Sequence, residues 1–225
     1  MSASLYIAAK TPLPGQAKTR LSAEIGERGA IDLYRAFLRD LGARFADGPL
    51  PLSWYVTPGA WPEIAPLLGA SAADARVLTQ PAGDWTERQR SLFRLAAENG
   101  EAPIVLIGSD SPQVRREVVA EALELLACHD LVFGPTLDGG YWLIGMRAWH
   151  DVLEGIAMSV PGVLERIVAR ARAAGLSVAL VETTFDVDEA CDLAALAHAL
   201  RGRGDLRATS AALRALELVR TESAA

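Results

Sequence analysis

The sequence predicts an α/β protein in which a mostly parallel β-sheet is covered by helices on both faces. Short apolar runs rich in β-branched residues alternate along the chain with longer amphipathic stretches. In those longer stretches the apolar residues recur at the spacing of an α-helix. Such alternation is typical of parallel sheets, because their crossover helices pack on both faces.

Seven short apolar runs have the length and composition of strands. In chain order they are Ser4–Ala9, Leu52–Thr57, Arg76–Thr79, Ile104–Gly108, Leu131–Gly134, Tyr141–Gly145 and Ser177–Val181. Helical patterns lie between most of them, such as the one formed by Tyr34, Phe37, Leu38, Leu41 and Phe45. The tail, from about residue 205 to 220, predicts a terminal helix whose apolar side carries Leu206, Leu213, Leu216 and Val219.

The connection between the fifth and sixth predicted strands differs from the others. Only residues 135–140 separate the two runs, which is too short for a crossover helix. The sequence Asp138-Gly139-Gly140 favours a tight turn. We therefore expect one antiparallel hairpin within an otherwise parallel sheet.

The composition is that of a single packed domain spanning residues 1–225. A chain of 225 residues is long enough for one large core and too short for two. Hydrophobic residues make up 51% of the chain and charged residues 22%, a balance typical of a globular protein. The net charge of −6 argues against nucleic acid as a partner, because that requires a cationic surface.

The number of cysteines and the length of the apolar runs indicate the expected cellular compartment. Cys128 and Cys191 are the only cysteines, which suits a reducing compartment. The first apolar run, Leu5 to Ala9, is too short for the core of a signal peptide. No run approaches the roughly 20 apolar residues of a membrane span. We expect a cytoplasmic protein with no membrane partner, and the sequence leaves its oligomeric state open.

The loop after the first strand is a candidate phosphate-binding loop. Ligands of open α/β sheets bind where loops leave the carboxyl ends of strands. Residues 10–21 combine two prolines and Gly15 with the cations Lys10, Lys18 and Arg20. A stiff loop with exposed amides and cations is suited to a polyphosphate, although its spacing is not that of a P-loop. A solvated basic turn is the alternative.

Two further strand ends carry acids that could bind a metal. Asp110 follows the buried strand Ile104–Gly108, and a carboxylate at that place suits a magnesium ion that bridges phosphates. Asp186 and Asp188 follow the last strand, and alternate residues of an extended chain point to the same side. Either could complete a metal site with Asp110. In both loops the alternative role is capping of the following helix.

Two loops are candidates for contacts with the rest of a substrate. Asp138 in the hairpin turn could orient an acceptor hydroxyl or act as a general base, or it could only stabilise the turn. Gly83 and the amides around it could read the edge of a nucleobase, and Arg88 could reach a phosphate. Capping of the following helix by Thr86 is the structural alternative for this loop.

Together the motifs resemble those of a bacterial family of GT-A-like transferases. The order KxPxPGxxKTRL, GDxxER, GSDxP, GPxxDGGYxLIG and DVDxxxDL spans roughly residues 5–200. It is similar to that of the radical-SAM/selenodomain-associated transferases, or nucleotide-diphospho-sugar transferases. The first loop also resembles that of the 2-phospho-lactate guanylyltransferases and, more distantly, those of molybdenum-cofactor guanylyltransferases and sugar-phosphate cytidylyltransferases.

The resemblance implies a three-layer α/β/α Rossmann-like GT-A fold with a nucleotide site. It implies that a divalent cation, Mg²⁺ or Mn²⁺, is bound by Asp110 and by Asp188, with Asp186 as the reserve candidate. The residues that it implies for the phosphates are Lys10, Gly15, Lys18 and Arg20. The chain departs from the family where Met158-Ser159-Val160 replaces W-S-T and where Glu189-Ala190-Cys191 replaces T-P-E.

Two reactions agree with these motifs. In nucleotidyl transfer, a phosphate, phosphonate or carboxylate of a small acceptor attacks the α-phosphorus of a nucleoside triphosphate and releases pyrophosphate. Asp110, Lys18 and Arg20 would then be the catalytic residues, acting by position and charge. In glycosyl transfer from a nucleotide sugar, Asp138 would be the base. The single acid in Ser109-Asp110-Ser111 and the basic first loop favour the first reaction.

Overall fold

The computed structural model describes residues 2–48, 50–158 and 160–223, without the side chains of 217–223. Its strands are β1 (Ser2–Ala9), β2 (Leu52–Val56), β3 (Arg76–Thr79), β4 (Glu101–Gly108), β5 (Leu131–Pro135), β6 (Tyr141–Met146) and β7 (Val178–Leu180). Its α-helices are α1 (Thr19–Ile25), α2 (Glu27–Ala46), α3 (Trp61–Leu68), α4 (Trp85–Glu98), α5 (Arg116–Leu125), α6 (Val163–Ala173), α7 (Asp192–Ala199) and α8 (Arg207–Ser223). In the described part of the chain, no helix has both the length and the apolar character needed to cross a membrane.

The strands form one sheet in the order β3-β2-β1-β4-β6-β5-β7. β1 pairs in parallel with β2 and β4, and β5 pairs in parallel with β7. β6 is antiparallel to both of its neighbours, β4 and β5. The predicted α/β class, the mostly parallel sheet and the antiparallel hairpin are therefore confirmed.

The apolar core has two parts, one on each face of the sheet. Alternate residues of β1 supply both parts, because successive strand side chains point to opposite faces. Leu5 and Ile7 pack on the face covered by α1, α2, α3, α5, α7 and α8. Tyr6 packs on the opposite face with residues of α4 and α6. The arrangement is the predicted three-layer α/β/α sandwich.

Two strands begin earlier than their apolar runs indicate. β1 begins at Ser2 and β4 at Glu101, a residue whose charge marks it in the sequence as a loop residue. Glu101 is only 6% exposed, and its carboxylate accepts a hydrogen bond from Tyr6 Oη at 2.5 Å. Arg76 of β3 pairs with the same carboxylate at 2.6 Å. A buried carboxylate with two such partners is stable inside a strand.

The predicted terminal helix exists and is anchored by an acid that the sequence did not identify. Asp40 of α2 is 5% exposed, and its two oxygens accept hydrogen bonds from Ala208 N at 3.1 Å and Thr209 N at 2.7 Å. Leu206 and Leu213 are buried as predicted. The side chain of Val219 lies outside the described residues.

We predict that Gly134→Ala destabilises the protein. A methyl group at this position of β5 would overlap the indole ring of Trp142, which lies across Gly134 on β6. Overpacking of this kind costs about 1–3 kcal/mol, which urea denaturation would measure as a lower free energy of unfolding. Gly204→Ala is the control, because nothing lies within 4 Å of the added carbon. Equal effects of the two substitutions would contradict the close packing of strand and indole.

Candidate active site

The ammonium group of Lys18 joins loops from separate strand ends. It forms an ion pair with Asp110 in the loop after β4, and a second with Asp188, after β7, at 3.1 Å. It also donates a hydrogen bond to the carbonyl oxygen of Val187 at 2.8 Å. The Lys18 side chain is only 2% exposed. The cationic loop and the acids therefore lie at the same edge of the sheet, as expected for one site.

The backbone of the first loop directs Lys18 inward. Lys18 has φ 51° and ψ 38°, and no other non-glycine residue in the described part of the chain has positive φ. This left-handed conformation is unfavourable for a residue with a side chain and is found where other interactions enforce it. Gly15, with φ 73°, supports the turn in which Gln16 N donates to Leu13 O at 3.1 Å. The loop is thus bent at Gly15 and fixed at Lys18.

The charges at this edge shift one another's pKa values. Burial alone would lower the pKa of Lys18, but the carboxylates of Asp110 and Asp188 outweigh it and raise this pKa. Burial would raise the pKa of Asp110, but the Lys18 ammonium outweighs it and lowers this pKa. Burial, with the Asp110 carboxylate next in effect, raises the pKa of Asp186 to about 7. Lys18 and Asp110 are therefore a stable ion pair, and Asp186 is the acid at this edge that most lacks a cation.

Arg20 lies on the outside of the same cluster. Its guanidinium contacts Asp188 Oδ2 at 2.5 Å and Glu189 Oε1 at 2.9 Å, and its side chain is 64% exposed. Because Lys18 binds Oδ1 and Arg20 binds Oδ2, both carboxylate oxygens of Asp188 already have cationic partners. In this arrangement Lys18 and Arg20 hold the acids in place.

The helix-cap alternatives for the acidic loops are not observed. α5 has Arg115 at its N-cap and α7 has Cys191, and neither helix has a side-chain cap hydrogen bond. The backbone N–H groups of Asp188 and Glu189 instead both donate to Asp192 at 2.8 Å. Capping therefore does not account for Asp110, Asp186 or Asp188.

A cavity of about 300 Å³ opens beside this cluster, at the carboxyl ends of β1 and β4. Two carboxylates, Asp110 and Asp186, and two cations, Lys10 and Arg88, are among its lining residues. The other polar side chains of its lining include Gln80, Gln89, Ser109 and Tyr141. Asp188, Lys18 and Arg20 do not line it. The cavity therefore presents charges of both signs within one small space.

Two buried donors of this cavity have no hydrogen-bond partner in the described part of the chain. Gln89 is 0% exposed, and its Oε1 accepts from Tyr141 Oη at 2.9 Å while its Nε2 is unpaired. Arg88 donates through Nη1 to Gln80 Oε1 at 3.2 Å, while its Nε is unpaired. Buried donors are nearly always satisfied, so these two indicate places for the acceptor atoms of a ligand.

Tyr34 links the first loop to the loop of Asp110. Its hydroxyl accepts a hydrogen bond from Lys10 N at 2.9 Å and lies 2.9 Å from Ser109 Oγ. On the other side of Asp110, the hydroxyl of Ser111 donates to Asp186 Oδ1. The positions of Lys10, Asp110 and Asp186 are therefore coupled through hydroxyl groups.

The comparisons with known proteins identify the family. A Phenylobacterium zucineum (strain HLK1) protein named 3-phospho-D-glycerate guanylyltransferase is 35% identical over 196 residues, covering 83% of this chain and 87% of that protein. A Desulfovibrio desulfuricans G20 crystal structure, named for a nucleotide-diphospho-sugar transferase, matches with a TM-score of 0.85 and 30% identity over 96% of this chain and 99% of its own. The chain belongs to this family of GT-A-like transferases. Residues 54–160 match the family described as "Uncharacterized protein conserved in bacteria (DUF2064)".

A more distant match shows the fold alone. A cytidylyltransferase from Leptospira borgpetersenii serovar Hardjo-bovis (strain JB197) matches with a TM-score of 0.57 at 10% identity, over 98% of this chain and 96% of that one. The structural matches confirm the GT-A-like fold predicted from the motifs. The Phenylobacterium relative confirms the relation to guanylyltransferases.

Other candidate residues of the transferase lie outside the cavity lining. Asp138 Oδ1 accepts hydrogen bonds from Thr136 Oγ1 at 2.5 Å and Gly140 N at 3.0 Å, so it stabilises its own turn. Gly83, with φ 120°, precedes α4 without lining the cavity. The cap of α4 is Asp84, which accepts from Glu87 N at 2.9 Å.

The structure does not show Thr86 as the cap of its helix, and it does not describe all of the segment that departs from the family motif. Thr86, the expected cap of α4, is buried and donates instead to the carbonyl oxygen of Ile156 at 2.5 Å. Ser159, in the segment that departs from the family motif, lies outside the described residues. In the described part of the chain, no group of three or more His, Cys, Asp and Glu side chains is arranged to hold a metal ion.

We predict that Lys18→Met destabilises the protein more than Arg20→Met. Lys18→Met leaves Asp110, whose side chain is 36% exposed, without its ammonium partner, so the cost is below that of a fully buried pair and amounts to about 1–3 kcal/mol. Arg20 is 64% exposed, so its pairs are screened by water and their loss costs under about 1 kcal/mol. Urea denaturation with metal chelator present would measure both values. Similar small losses in both variants would show that the Lys18 ion pairs do not stabilise the fold.

Proposed function

We propose that this transferase catalyses nucleotidyl transfer from a nucleoside triphosphate to a small acceptor that carries a phosphate, phosphonate or carboxylate group. The observation that carries the proposal is the cavity at the strand ends, where Lys10 and Arg88 lie with Asp110 and Asp186. The ammonium of Lys10 suits the phosphoryl oxygens, Arg88 can donate to acceptor atoms of the nucleoside, and paired carboxylates suit a metal that accompanies a triphosphate. The guanylyltransferase relative supports the same reaction class.

The reaction requires no nucleophile from the protein. An anionic oxygen of the acceptor attacks the α-phosphorus and forms a new P–O bond. The bond between the α-phosphorus and the oxygen bridging to the β-phosphorus breaks, and pyrophosphate leaves with that electron pair. The protein contributes position and charge, which are the main sources of rate in phosphoryl chemistry.

We assign the phosphate-binding role of the first loop chiefly to Lys10. Lys10 lines the cavity and is exposed, whereas the ammonium of Lys18 is buried between carboxylates. Lys18 and Arg20 then act as positioning residues, because they fix the acids beside the cavity. Gly15 acts through the bend that it permits in the loop. Asp138 is retained only as a candidate base that would have to leave its turn.

The residues present fit a divalent cation, Mg²⁺ or Mn²⁺, held by Asp110 and Asp186. Both acids line the cavity, while the oxygens of Asp188 are paired with Lys18 and Arg20. Magnesium commonly takes one or two carboxylates from a protein and fills its other positions with water and substrate phosphates. When bound, the cation would neutralise charge on the phosphate oxygens.

The unpaired donors provide a candidate contact for the nucleobase. Gln89 Nε2 and Arg88 Nε are both hydrogen-bond donors without a partner among the described residues. Two donors suit a base edge with two acceptor atoms, such as O6 and N7 of guanine. GTP is accordingly the triphosphate that we propose, in agreement with the guanylyltransferase relative. An acceptor related to phosphoglycerate is the first candidate for the other substrate.

Glycosyl transfer is the second candidate, because the Desulfovibrio relative is named for nucleotide-diphospho-sugar transfer. The two reactions release different products. Nucleoside triphosphates with phosphorylated carboxylic acids should yield pyrophosphate if the first proposal is right. Turnover of nucleotide sugars, with release of a nucleoside diphosphate and no pyrophosphate from triphosphates, would favour the second.

We predict that Asp110→Asn lowers kcat of pyrophosphate release roughly 100-fold or more. The substitution keeps the shape of the side chain and removes the charge that the cavity presents to a cation. Asp32→Asn, at an exposed position of α2, is the control and should retain full activity. Circular dichroism and urea denaturation would establish that both variants are folded. Full activity of folded Asp110→Asn would place the site elsewhere.

We also predict that Lys10→Ala raises KM for the triphosphate by roughly ten-fold with a smaller effect on kcat. Loss of one charge-assisted hydrogen bond to a phosphate weakens binding by about this factor. Steady-state kinetics at saturating acceptor would measure it. The control is Arg94→Ala, an exposed cation of α4 that does not line the cavity. Equal KM values in Lys10→Ala and the unmodified protein would remove Lys10 from the phosphate site.

A further inference from the structure

A second cavity lies between helices on one face of the sheet, apart from the cavity at the carboxyl ends of β1 and β4 that we propose as the catalytic cavity. It is an open groove of about 830 Å³ between the ends of α2, α3, α5 and α8. It shares no lining residue with the catalytic cavity. Six arginines and three acids line it: Arg39, Arg44, Arg115, Arg116, Arg203, Arg207, Asp40, Glu117 and Asp205. An excess of positive charge is thus concentrated in one groove of a chain whose net charge is −6.

The acids of this groove do not neutralise all of its arginines. Both oxygens of Asp40 accept hydrogen bonds from the first amides of α8. Asp205 accepts from Arg44 Nε at 3.0 Å and from Arg203 Nε at 2.8 Å. Asp40 and Asp205 are therefore committed to the fold, whereas the third acid, Glu117, is exposed and its charge acts on Arg115 and Arg203 without an ion pair among the described residues. Arg39, Arg116 and Arg207 have no acidic partner in that part of the chain.

Arg44 has an unpaired buried donor at this groove. Its side chain is 4% exposed, and its Nη1 donates to the carbonyl oxygens of Pro112 and Val114, each at 2.7 Å. Its Nη2 has no hydrogen-bond partner in the described part of the chain. Burial lowers the pKa of the Arg44 guanidinium, an effect that Asp205 opposes. A buried cationic donor without an acceptor is costly, and an anion in the groove would supply the acceptor.

Two arginines at the rim have guanidinium groups open to solvent. Arg39 on α2 is exposed and has no side-chain hydrogen bond or ion pair with the described residues. Arg207, the first residue of α8, is exposed, and its Nε donates to Gly204 O at 3.2 Å. Its other guanidinium nitrogens have no acceptor among the described residues.

We propose that this groove binds a small molecule carrying two or more phosphoryl or carboxylate groups. Guanidinium groups are planar, permanently charged and suited to paired hydrogen bonds with such oxygens. Arg44 Nη2 forms the buried part of the site, and Arg39 and Arg207 form its exposed part. The volume is sufficient for a ligand the size of a sugar phosphate or a nucleotide. The site is separate from the proposed catalysis and does not depend on it.

Titration calorimetry of the full chain with inorganic pyrophosphate, without divalent cations, tests this proposal. The double variant Arg39→Ala/Arg207→Ala should bind pyrophosphate in the groove at least roughly ten-fold more weakly than the unmodified protein. Arg94→Ala/Arg172→Ala is the matched control, because it removes two exposed arginines from α4 and α6 on the opposite face. The control should bind as the unmodified protein does. Phosphate, with a single phosphoryl group, should bind more weakly than pyrophosphate.

The same titration on Lys10→Ala separates the groove from the catalytic cavity. Binding in the groove should persist in Lys10→Ala and be lost in Arg39→Ala/Arg207→Ala. The single variant Arg39→Gln, at an exposed position, should show a smaller loss in the same direction if the double variant does not fold. Unchanged pyrophosphate binding in folded groove variants would overturn the proposal. Equal losses in the matched control would do so too, because they would indicate general charge attraction.

Discussion

The candidate site depends on one buried ion-pair cluster, in which the ammonium of Lys18 binds Asp110 and Asp188. Taking an ammonium group out of water is costly, and only the two carboxylates with the carbonyl of Val187 make its 2% exposure tolerable. The same cluster enforces the left-handed backbone of Lys18, since no glycine is present to adopt it without strain. Segments that are 170 residues apart in the sequence are thereby fixed at one edge of the sheet.

This cluster also divides the acids between two roles. Asp188 is surrounded by cations from the first loop and contributes to the structure, whereas Asp110 uses one face for Lys18 and lines the cavity with the rest of its side chain. Asp186 belongs to the same segment as Asp188 and lines the cavity, whereas Asp188 is turned to Lys18 and Arg20. Its pKa of about 7 reflects a carboxyl that is buried near Asp110, an environment in which a bound cation would favour the charged form.

Much of the fold follows from the sequence, and less of the site does. All seven strands lie where apolar runs predict them, because hydrophobic burial decides strand position in a covered sheet. The start of β4 was missed because the burial of Glu101 depends on Tyr6 and Arg76, which lie far away in the sequence. For the same reason a lysine in a basic loop was expected to face phosphate, while Lys18 in fact faces acids. Gln89 was missed as well, and its only signal is a polar side chain at helical spacing from the buried Phe93 and Ala96.

The two cavities differ in how their charges are arranged, and this difference bears on what each can bind. In the proposed catalytic cavity, Asp110 and Asp186 face the same space as Lys10 and Arg88, so a free anion would meet repulsion from the acids. A phosphate that arrives with a divalent cation avoids it, because the acids then have a positive partner. In the groove, Asp40 and Asp205 are already bound to amides and arginines, so Glu117 is the one lining acid among the described residues that remains to oppose an anion beside six arginines. Mixed charge therefore favours the metal–phosphate complex that we propose for the cavity, whereas an excess of arginine favours the bare anion that we propose for the groove.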